Sequence, residues 1–217
     1  MARKETSLLV DLHPGMGYDD LLLDVTHEHS WQDLLPVADE LTPRHLELTL
    51  TTHSSGLKLL CAPDVWLENI QRDRMLSLLR ALAKQTSWLF VDVPAGLDEL
   101  TRIALDITDV VLLVTLGDPP ALRAAKRLLE ALPEQLIDKT GLVLNQVDHR
   151  HPVKPRQVAA ALGVPLLAAL PPDSRAVGYQ VNFGRPCVLD DHSRLGRAIA
   201  GLGKRLSAAA AQQVHRT

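Results

Sequence analysis

Five polar residues follow short apolar runs and could together bind a phosphate ligand with its metal ion. They are Asp11, Asp92, Asn145, Asp148 and Asp173. Carboxylate oxygens are ligands that Mg²⁺ prefers, and carboxylates near the ion offset phosphate charge and orient an attacking water. Any one of these residues alone is typical of a helix cap or turn. Four apolar runs that all end in Asp or Asn favour a functional site instead.

Residues 91–96, VDVPAG, give the sharpest of these signals. A buried strand that ends in Asp, with Pro and Gly two and four residues later, is how many nucleotide-hydrolysing proteins position Mg²⁺. Such a site also needs the loop G-x-x-x-x-G-K-[ST], because backbone N–H groups and a lysine must surround the phosphates. No lysine of the sequence lies in that motif; Lys204 follows a glycine, but Arg205 stands where Ser or Thr is required.

The elements that would position these residues are short strands alternating with helices. The candidate strands are residues 7–12, 57–62, 88–92, 110–115, 141–147 and 164–170. Each is apolar throughout, which is typical of parallel strands covered on both faces. The pattern predicts an α/β fold, a doubly wound, mostly parallel sheet with helices on both faces, in which ligands bind beyond the carboxyl ends of the strands.

Capping residues predict where several helices begin and end. Asp118, followed by proline, is a good N-cap, and Ser30 resembles the start of a capping box. We expect Asp64 to cap another helix. A further helix is expected to begin at Thr42 and to end at Gly56.

Composition indicates one folded domain over residues 1–217. The chain has 46% hydrophobic residues and a formal net charge of −3, which argues against a general electrostatic grip on nucleic acid. It has two cysteines far apart, no signal-peptide pattern and no apolar run near the roughly 20 residues of a membrane span. We therefore expect a cytoplasmic protein.

Five stretches resemble the MinD/ParA group of P-loop ATPases, whose fold is that of P-loop NTPases. They are LLVDLHPGMGYDD, GLKLLCAP, FVDVPAGLD, LVLNQVD and GVPLLAALPPDSRAV. Within the group, HSSGLKLLCAP, DPPALRAAKRLLEAL and NFGRPCVLDDHSRLGRAIAGLGKRL look most similar to CpaE/TadZ, the ATPase-like proteins of Flp (tight-adherence) pilus assembly. The resemblance extends from about residue 7 to residue 206.

The resemblance implies ATP and Mg²⁺ as cofactors and assigns roles to particular residues. Asp92 matches the Walker B aspartate, which holds Mg²⁺ through water, and Asp11 matches the first Asp of the D-x-D signature. Gly96 would be the switch glycine that senses the γ-phosphate, and Asn145 the residue that contacts adenine. Residues of a loop beside the base would be Pro171, Pro172 and Asp173. Asp148 ends a stretch, NQVD, that also resembles the guanine-reading N-K-x-D, with Gln in place of Lys.

The chain departs from the family's pattern in two ways. The P-loop and the first strand, which precede the D-x-D strand in the family, have no counterpart, so we expect an N-terminally shortened domain. Three explanations stay open: a product of a longer gene, a sheet closed by another pairing, or a strand borrowed from a partner. The second departure is His13, where D-x-D has its second Asp, the one linked to the hydrolytic water. A neutral imidazole would not reproduce that charge.

These features together predict a degenerate nucleotide site, with or without a cofactor, in a protein of pilus assembly or localisation with little or no ATPase activity. The alternative is an active switch ATPase that positions protein or DNA cargo. The resemblance implies a homodimer and pilus-assembly or polar-localisation proteins as partners. Peripheral membrane contact through a last helix from about Ser193 is less favoured, since its apolar face lacks bulky aromatics. The H-x-H pairs at His27 and His149 are weak metal signals, and solvated loops explain them better.

Overall fold

The computed structural model describes residues 6–67, 69–148 and 153–214, and backbone contacts divide the chain into two compact units. The first is Met1–Thr108 and the second is Asp109–Thr217. Each unit contains its own mostly parallel sheet with helices, which confirms the predicted α/β class. The single domain expected over residues 1–217 stays a prediction.

Four strands form the sheet of the first unit, in the order β2-β3-β1-β4. They are β1 (Ser7–Asp11), β2 (Thr51–Thr52), β3 (Lys58–Leu60) and β4 (Trp88–Asp92). Strand β1 pairs in parallel with both β3 and β4, whereas β2 pairs antiparallel with β3. The carboxyl ends of β1 and β4 therefore lie at the same edge of the sheet.

The helices of the first unit are α1 (Asp19–Leu22), α2 (Trp31–Leu34), α3 (Pro43–Thr49), α4 (Arg72–Gln85) and α5 (Glu99–Leu105). The capping box at Ser30 is confirmed, because Asp33 Oδ2 accepts from the Ser30 N–H at 2.8 Å. Thr42 caps α3 as predicted, with its hydroxyl oxygen accepting from the His45 N–H. These caps satisfy backbone donors that the first helical turn leaves unpaired.

Alternate residues of β1 are buried on opposite faces of the sheet. Leu8 and Val10 are fully buried in a cluster with Met75 and Leu78 of α4. Leu9 packs instead against a separate cluster that contains Leu59. Because successive side chains of a strand point to opposite faces, both faces of this sheet are covered. This burial explains why residues 8–10 of β1 are all apolar.

Two helix boundaries predicted from the sequence are wrong. Helix α4 begins at Arg72 and not near Asp64, because residues 64–67 form a bend and an irregular segment instead of a helical turn. Gly56 does not end α3. It has φ of +89° in the turn that joins β2 to β3, and its N–H donates to the carbonyl oxygen of His53. A left-handed glycine serves a hairpin turn as readily as a helix end, so the spacing misled the prediction.

The sheet of the second unit has the order β5-β6-β7, with all pairs parallel. Its strands are β5 (Val111–Thr115), β6 (Thr140–Leu144) and β7 (Leu166–Ala169). Its helices are α6 (Pro119–Ala131), α7 (Glu134–Ile137), α8 (Pro155–Leu162), α9 (Ser174–Phe183) and α10 (Arg194–Val214). Asp118 caps α6 as predicted, since its Oδ1 accepts from the Ala121 N–H at 2.9 Å.

Strands β4 and β5 are each paired on one side only in the described part of the chain. Strand β4 pairs with β1, and β5 pairs with β6. Apolar side chains on both strands are exposed: Phe90 by 41% and Val114 by 58%. An apolar open edge is unusual, because natural sheets normally protect such edges from pairing with other chains.

Over residues 6–67, 69–148 and 153–214, no helix combines the length and the apolar character needed to cross a membrane.

Candidate functional site

Asp11 and Asp92 come together at the ends of two paired strands. They are the last residues of β1 and β4, and they are direct partners in the parallel register. The N–H of Leu12 donates to the carbonyl oxygen of Asp92 at 2.9 Å, which extends the pairing beyond the carboxylates. Asp11 is only 3% exposed. Of the five residues predicted for the rim, Asp11 and Asp92 thus meet in the first unit.

His13 binds the carboxylate of Asp11 and lies beside that of Asp92. Asp11 Oδ1 accepts from the His13 backbone N–H and lies 2.9 Å from the ring nitrogen Nδ1. The same Nδ1 lies 3.7 Å from Asp92 Oδ2. The imidazole therefore occupies the position next to both acidic side chains. When protonated, it forms ion pairs with them without a metal ion.

Trp31 contacts the backbone at the end of β1. Its indole Nε1–H donates to the carbonyl oxygen of Asp11 at 2.9 Å, and the ring is completely buried. Since a buried tryptophan needs a partner for its N–H, this bond couples the packing of α2 to the position of Asp11. Composition and spacing gave no sign of this contact.

The loop after His13 passes close over the Asp11 carboxylate. A Cβ atom at Gly17 would lie 2.6 Å from Asp11 Oδ2 and 3.1 Å from Ala62 Cβ. Gly15 has φ of +72° and donates its N–H to the carbonyl oxygen of Pro63. Only glycine at residue 17 permits this approach of the backbone to the carboxylate.

Asp19, the first residue of α1, is a half-buried acid that the sequence did not single out. Burial first, and then the negative charges of Asp11 and Asp92, raise the pKa of Asp19 to about 7. Its Oδ2 is buried without a hydrogen-bond partner. Burial also raises the pKa of Asp92, and the nearby His13 offsets part of this increase. The rim thus concentrates acidic groups whose charges repel each other.

The nearby thiol and histidines have ordinary structural explanations. Burial, followed by the charge of Asp20, raises the pKa of Cys61 to about 12, so this thiol stays protonated and is a poor nucleophile. His27 lies 3.2 Å from Asp20, and His29 lies 3.8 Å from Asp33. The second H-x-H pair, with His149, falls outside the described residues.

The carboxylates fit a hydrated Mg²⁺ better than a directly bound ion. In the described part of the chain, no group of three or more His, Cys, Asp or Glu side chains is arranged to hold a metal. Asp11 and Asp92 offer oxygens at one point, and the orphaned Oδ2 of Asp19 offers a third. Mg²⁺ keeps several waters, so contacts through water suit this set. His13 competes for the same oxygens.

Gly96 lies in the loop between β4 and α5, four residues after Asp92. Its φ of +119° is a conformation that favours glycine, and a Cβ there would meet no atom within 4 Å. The backbone geometry, and not crowding, therefore explains the glycine. Asp98 ends the same loop by capping α5 through the Thr101 N–H at 2.8 Å.

The other predicted nucleotide residues lie in the second unit. Asn145 follows β6, and its side-chain Oδ1 accepts from the Gln146 N–H at 2.9 Å. The N–H of Val147 donates to the carbonyl oxygen of Leu170, which joins the loops after β6 and β7. Asp148 is exposed. Asn145 and the loop after β7 are therefore neighbours, as the strand pattern predicted.

Asp173 has structural partners for both of its carboxylate oxygens. Oδ1 accepts from the Ala176 N–H at 3.1 Å and caps α9, while Oδ2 accepts from the Ser193 hydroxyl at 2.9 Å. These hydrogen bonds, that from Ala176 foremost, lower the pKa of Asp173. Pro171 is half-buried and Pro172 is exposed just before this cap. The capping role is the ordinary explanation that applies to a lone Asp after a strand.

The sequence resembles several proteins of known name, although no family model matches it. A putative septum site-determining protein MinD from Tupiella akineta is 32% identical over 145 residues, 64% of this chain. The septum site-determining protein MinD of Synechocystis is 25% identical over 205 residues, 92% of this chain and 77% of that protein. The chain spans about half, 47%, of the length of the Tupiella protein.

Solved structures share the fold. A ParA family ATPase from Chlorobium tepidum matches with a TM-score of 0.83 at 23% identity, covering 92% of this chain and 85% of that one. MinD from Pyrococcus horikoshii, complexed with Mg-ADP, gives 0.77 at 22% identity, with 94% and 84% covered. A MinC:MinD complex from Aquifex aeolicus gives 0.78 at 21%, with the same coverage. These structures share the α/β fold of this chain, and the similar sequences named above are those of MinD proteins.

Proposed function

We propose that this chain is a MinD/ParA-type protein with an altered nucleotide site that acts through contacts with other proteins. The observation that carries the proposal is the position of His13 between the two rim carboxylates. Its Nδ1 lies 2.9 Å from Asp11 and 3.7 Å from Asp92. Asp11 Oδ1, which would contact a hydrated Mg²⁺, is therefore engaged by the imidazole, and Asp92 Oδ2 lies within ion-pair distance of the same nitrogen.

Magnesium binding requires that His13 give up these contacts. Bound Mg²⁺ would supply positive charge to offset the phosphates of ATP. Asp11, Asp19 and Asp92 are the residues that would hold it, through water. A protonated His13 supplies charge to the same carboxylates, and a neutral one offers nitrogen, which Mg²⁺ accepts less readily than oxygen. Either form of His13 therefore weakens Mg²⁺ binding at this site. Neither form replaces the second Asp of the D-x-D signature, which is linked to the hydrolytic water in the family that the chain resembles.

A titration with a fluorescent ATP analogue tests the proposal on the 217-residue chain. We expect any Mg²⁺-dependent binding to have a dissociation constant above about 100 µM, which corresponds to a binding free energy weaker than about 5.5 kcal/mol. The sample must show helical circular dichroism and a cooperative unfolding transition. Micromolar binding that needs Mg²⁺, together with steady ATP turnover, would contradict the proposal.

An active switch ATPase is the second candidate, favoured by the paired carboxylates and the orphaned oxygen of Asp19. In that case the chain turns over ATP, and Asp92→Ala abolishes turnover without loss of fold. Asp98→Ala is the matched control, because Asp98 lies on the same loop but caps α5. Turnover lost in the first variant and kept in the second would establish this candidate.

The proposed setting is the assembly or polar localisation of a Flp pilus, with pilus-assembly proteins as partners. Support comes from the stretches that resemble CpaE/TadZ proteins, while the relatives described above carry the name septum site-determining protein MinD. Deleting the gene separates the two settings. Loss of surface pili with normally placed septa supports the pilus, whereas misplaced septa with normal pili assign the protein to cell division.

A second copy of the chain is the other partner we propose. Support comes from the resemblance and from the open, apolar edge of β4 with its exposed Phe90. Light scattering coupled to gel filtration measures the mass directly. A mass near 48 kDa, twice the 23.8 kDa chain, agrees with a dimer. A monomer at 100 µM, an order-of-magnitude ceiling for a specific complex, contradicts it.

A further inference from the structure

A groove in the second unit runs between the edge strand β7 and the long helix α10. Its volume is about 460 Å³. One wall is the whole of β7, Leu166–Ala169, and the other wall is formed by Arg197, Ala198, Gly201 and Arg205. The groove therefore has an apolar wall and small residues between two arginines.

The charged residues of α10 are all basic. The helix carries four basic residues, Arg194, Arg197, Lys204 and Arg205, and no Asp or Glu between residues 194 and 214. The whole chain has a net charge of −3, so this helix contrasts with the rest of the protein. A surface of this kind attracts acidic ligands.

The two arginines of the groove are not neutralised by carboxylates in the described part of the chain. Arg197 donates from Nη1 to the backbone carbonyl oxygen of Asp191 at 2.7 Å, which holds its side chain at one end of the groove. Arg205 is exposed and takes part in none of the ion pairs found among the described residues. Arginine binds carboxylates through two parallel hydrogen bonds when geometry allows.

The spacing of the arginines matches an extended peptide. Residues 197, 201 and 205 are four apart, so they share one helix face, and the two arginines are separated by about 12 Å along the axis. In an extended chain, residues i and i+4 point to the same side and lie about 13 Å apart. Two acidic residues four positions apart therefore reach both arginines at once, and residue i+2 faces Gly201.

Strand β7 leaves room for such a peptide. It pairs with β6 on one side only in the described residues, and its register shifts by one residue between Leu166 and Ala168. A bulge disrupts the ladder locally, which disfavours regular strand addition. The groove thus suits a segment that lies against β7 and is held by its side chains.

We propose that this groove binds an extended acidic segment of a partner protein, of the form acidic-x-aliphatic-x-acidic, with its carboxylates on Arg197 and Arg205. The inference rests on the proposed role in protein contacts and names the chemistry of one partner. Its failure is distinguishable from failure of that role, because the peptide test does not involve the nucleotide site.

The test measures fluorescence anisotropy of labelled peptides with the full chain. The first peptide is Ser-Glu-Ser-Val-Ser-Glu-Ser, and the comparison peptide, Ser-Glu-Glu-Val-Ser-Ser-Ser, has the same composition with adjacent carboxylates. We expect the first to bind about tenfold more tightly, since only it places a charged hydrogen bond on each arginine. Equal binding of the two peptides would overturn the proposal.

Variants of α10 locate the peptide. Arg197→Ala and Arg205→Ala should each weaken binding of the first peptide about tenfold. Gly201→Leu should block the groove, whereas Gly203→Leu is the matched control outside it. A Cβ at either glycine meets no atom within 4 Å, so both variants should fold. Binding that survives Gly201→Leu would contradict the proposed position.

Vesicles containing anionic phospholipid decide between a peptide and a membrane. The proposal expects no cosedimentation at 0.15 M salt, where surface charges are screened over about 8 Å. Cosedimentation that is lost in both arginine variants, together with weak peptide binding, would instead assign α10 to a lipid surface and overturn the proposal.

Discussion

His13 Nδ1 lies 2.9 Å from Asp11 Oδ1, so an imidazole is bound where the two rim carboxylates meet. The contact is local, since Asp11 also accepts from the His13 N–H. The backbone N–H and the ring nitrogen of His13 thus contact the same carboxylate oxygen, which holds the imidazole at the carboxyl ends of β1 and β4. The charge balance of the rim, and with it the response to cations, depends on this one residue.

Replacing His13 by Asp should make the protein's stability dependent on Mg²⁺. The variant adds a carboxylate beside Asp11, Asp19 and Asp92, and we expect the free energy of unfolding to fall by about 1–3 kcal/mol without a divalent cation. Millimolar Mg²⁺ should restore part of the loss, as measured by thermal unfolding. His13→Asn, which removes the ring without adding charge, is the control. An equal response of both variants to Mg²⁺ would contradict this explanation.

Replacing Asp19 by Asn should stabilise the protein at high pH but not at low pH. The folded pKa is about 7 against an ordinary 3.8, so folding penalises the ionised form, and stability falls as the pH rises between these values. Above pH 7 the penalty is complete. Because the residue is partly exposed, we expect about 1–2 kcal/mol, less than the full shift would give.

Urea unfolding at pH 4 and pH 8 measures the effect of Asp19. The difference between Asp19→Asn and wild type should be near zero at pH 4 and largest at pH 8. Asp20→Asn is the control, because it removes a neighbouring carboxylate that contacts His27. A difference that is the same at both pH values would show that the lost carboxylate acts through packing.

Gly17→Ala should destabilise the rim, whereas the same change at Gly178 should not. The new Cβ would lie 2.6 Å from Asp11 Oδ2, so the loop must shift, at a cost of about 1–3 kcal/mol. Gly178 lies within α9, where a Cβ meets nothing within 4 Å, and alanine there should stabilise by about 0.5–1 kcal/mol. Chemical unfolding of both variants gives the comparison. Equal effects of the two variants would mean that the loop over Asp11 shifts to accommodate the new Cβ without a measurable loss of stability.

Asp173→Ala should lower stability at neutral pH even without nucleotide. Its lowered pKa means that stability is present above the ordinary pKa of 3.8 and is lost as the pH falls through the folded value. The variant should therefore differ from wild type at pH 7 and converge with it in acid. Asp118→Ala, which loses only a cap, should cost about 1 kcal/mol. If Asp173→Ala did not change stability, the capping role would be contradicted and nucleotide binding would remain as the proposed role of Asp173.

Phe90→Lys should reduce self-association if the open edge of β4 pairs with a second copy. A lysine on an edge strand disfavours pairing, because its charge would lie on the sheet face against the side chains of the added strand. Sedimentation velocity over a range of concentrations measures the change. Leu48→Lys is the control, since Leu48 is exposed on α3, away from the edge. Identical masses for both variants would place the dimer interface elsewhere.

Local patterns predicted the strands and several caps well. Strand β4 has the bounds expected from its apolar run, and Ser30, Thr42 and Asp118 are the caps that their neighbours predicted. The strand-end residues of β1 and β4 also meet as expected. These features depend on residues a few positions apart, which a sequence displays directly.

Features that depend on packing were not predictable in this way. The raised pKa of Asp19 requires its burial beside Asp92, which is far away in sequence. The glycine at residue 17 matters because of a carboxylate six residues earlier, and Trp31 reaches back to the carbonyl of Asp11. Gly56 misled the prediction because a hairpin and a helix end use the same backbone conformation.

The bond from Trp31 to Asp11 also has a spectroscopic consequence. The chain has three tryptophans, of which Trp31 is fully buried and Trp66 is 72% exposed, so their emission maxima should differ. Trp31 is the most buried of the three and donates to Asp11 at the rim, so the bluest emission should originate next to the carboxylates. Any ligand that moves Asp11 would alter that component, and the protein therefore carries its own optical probe of the site.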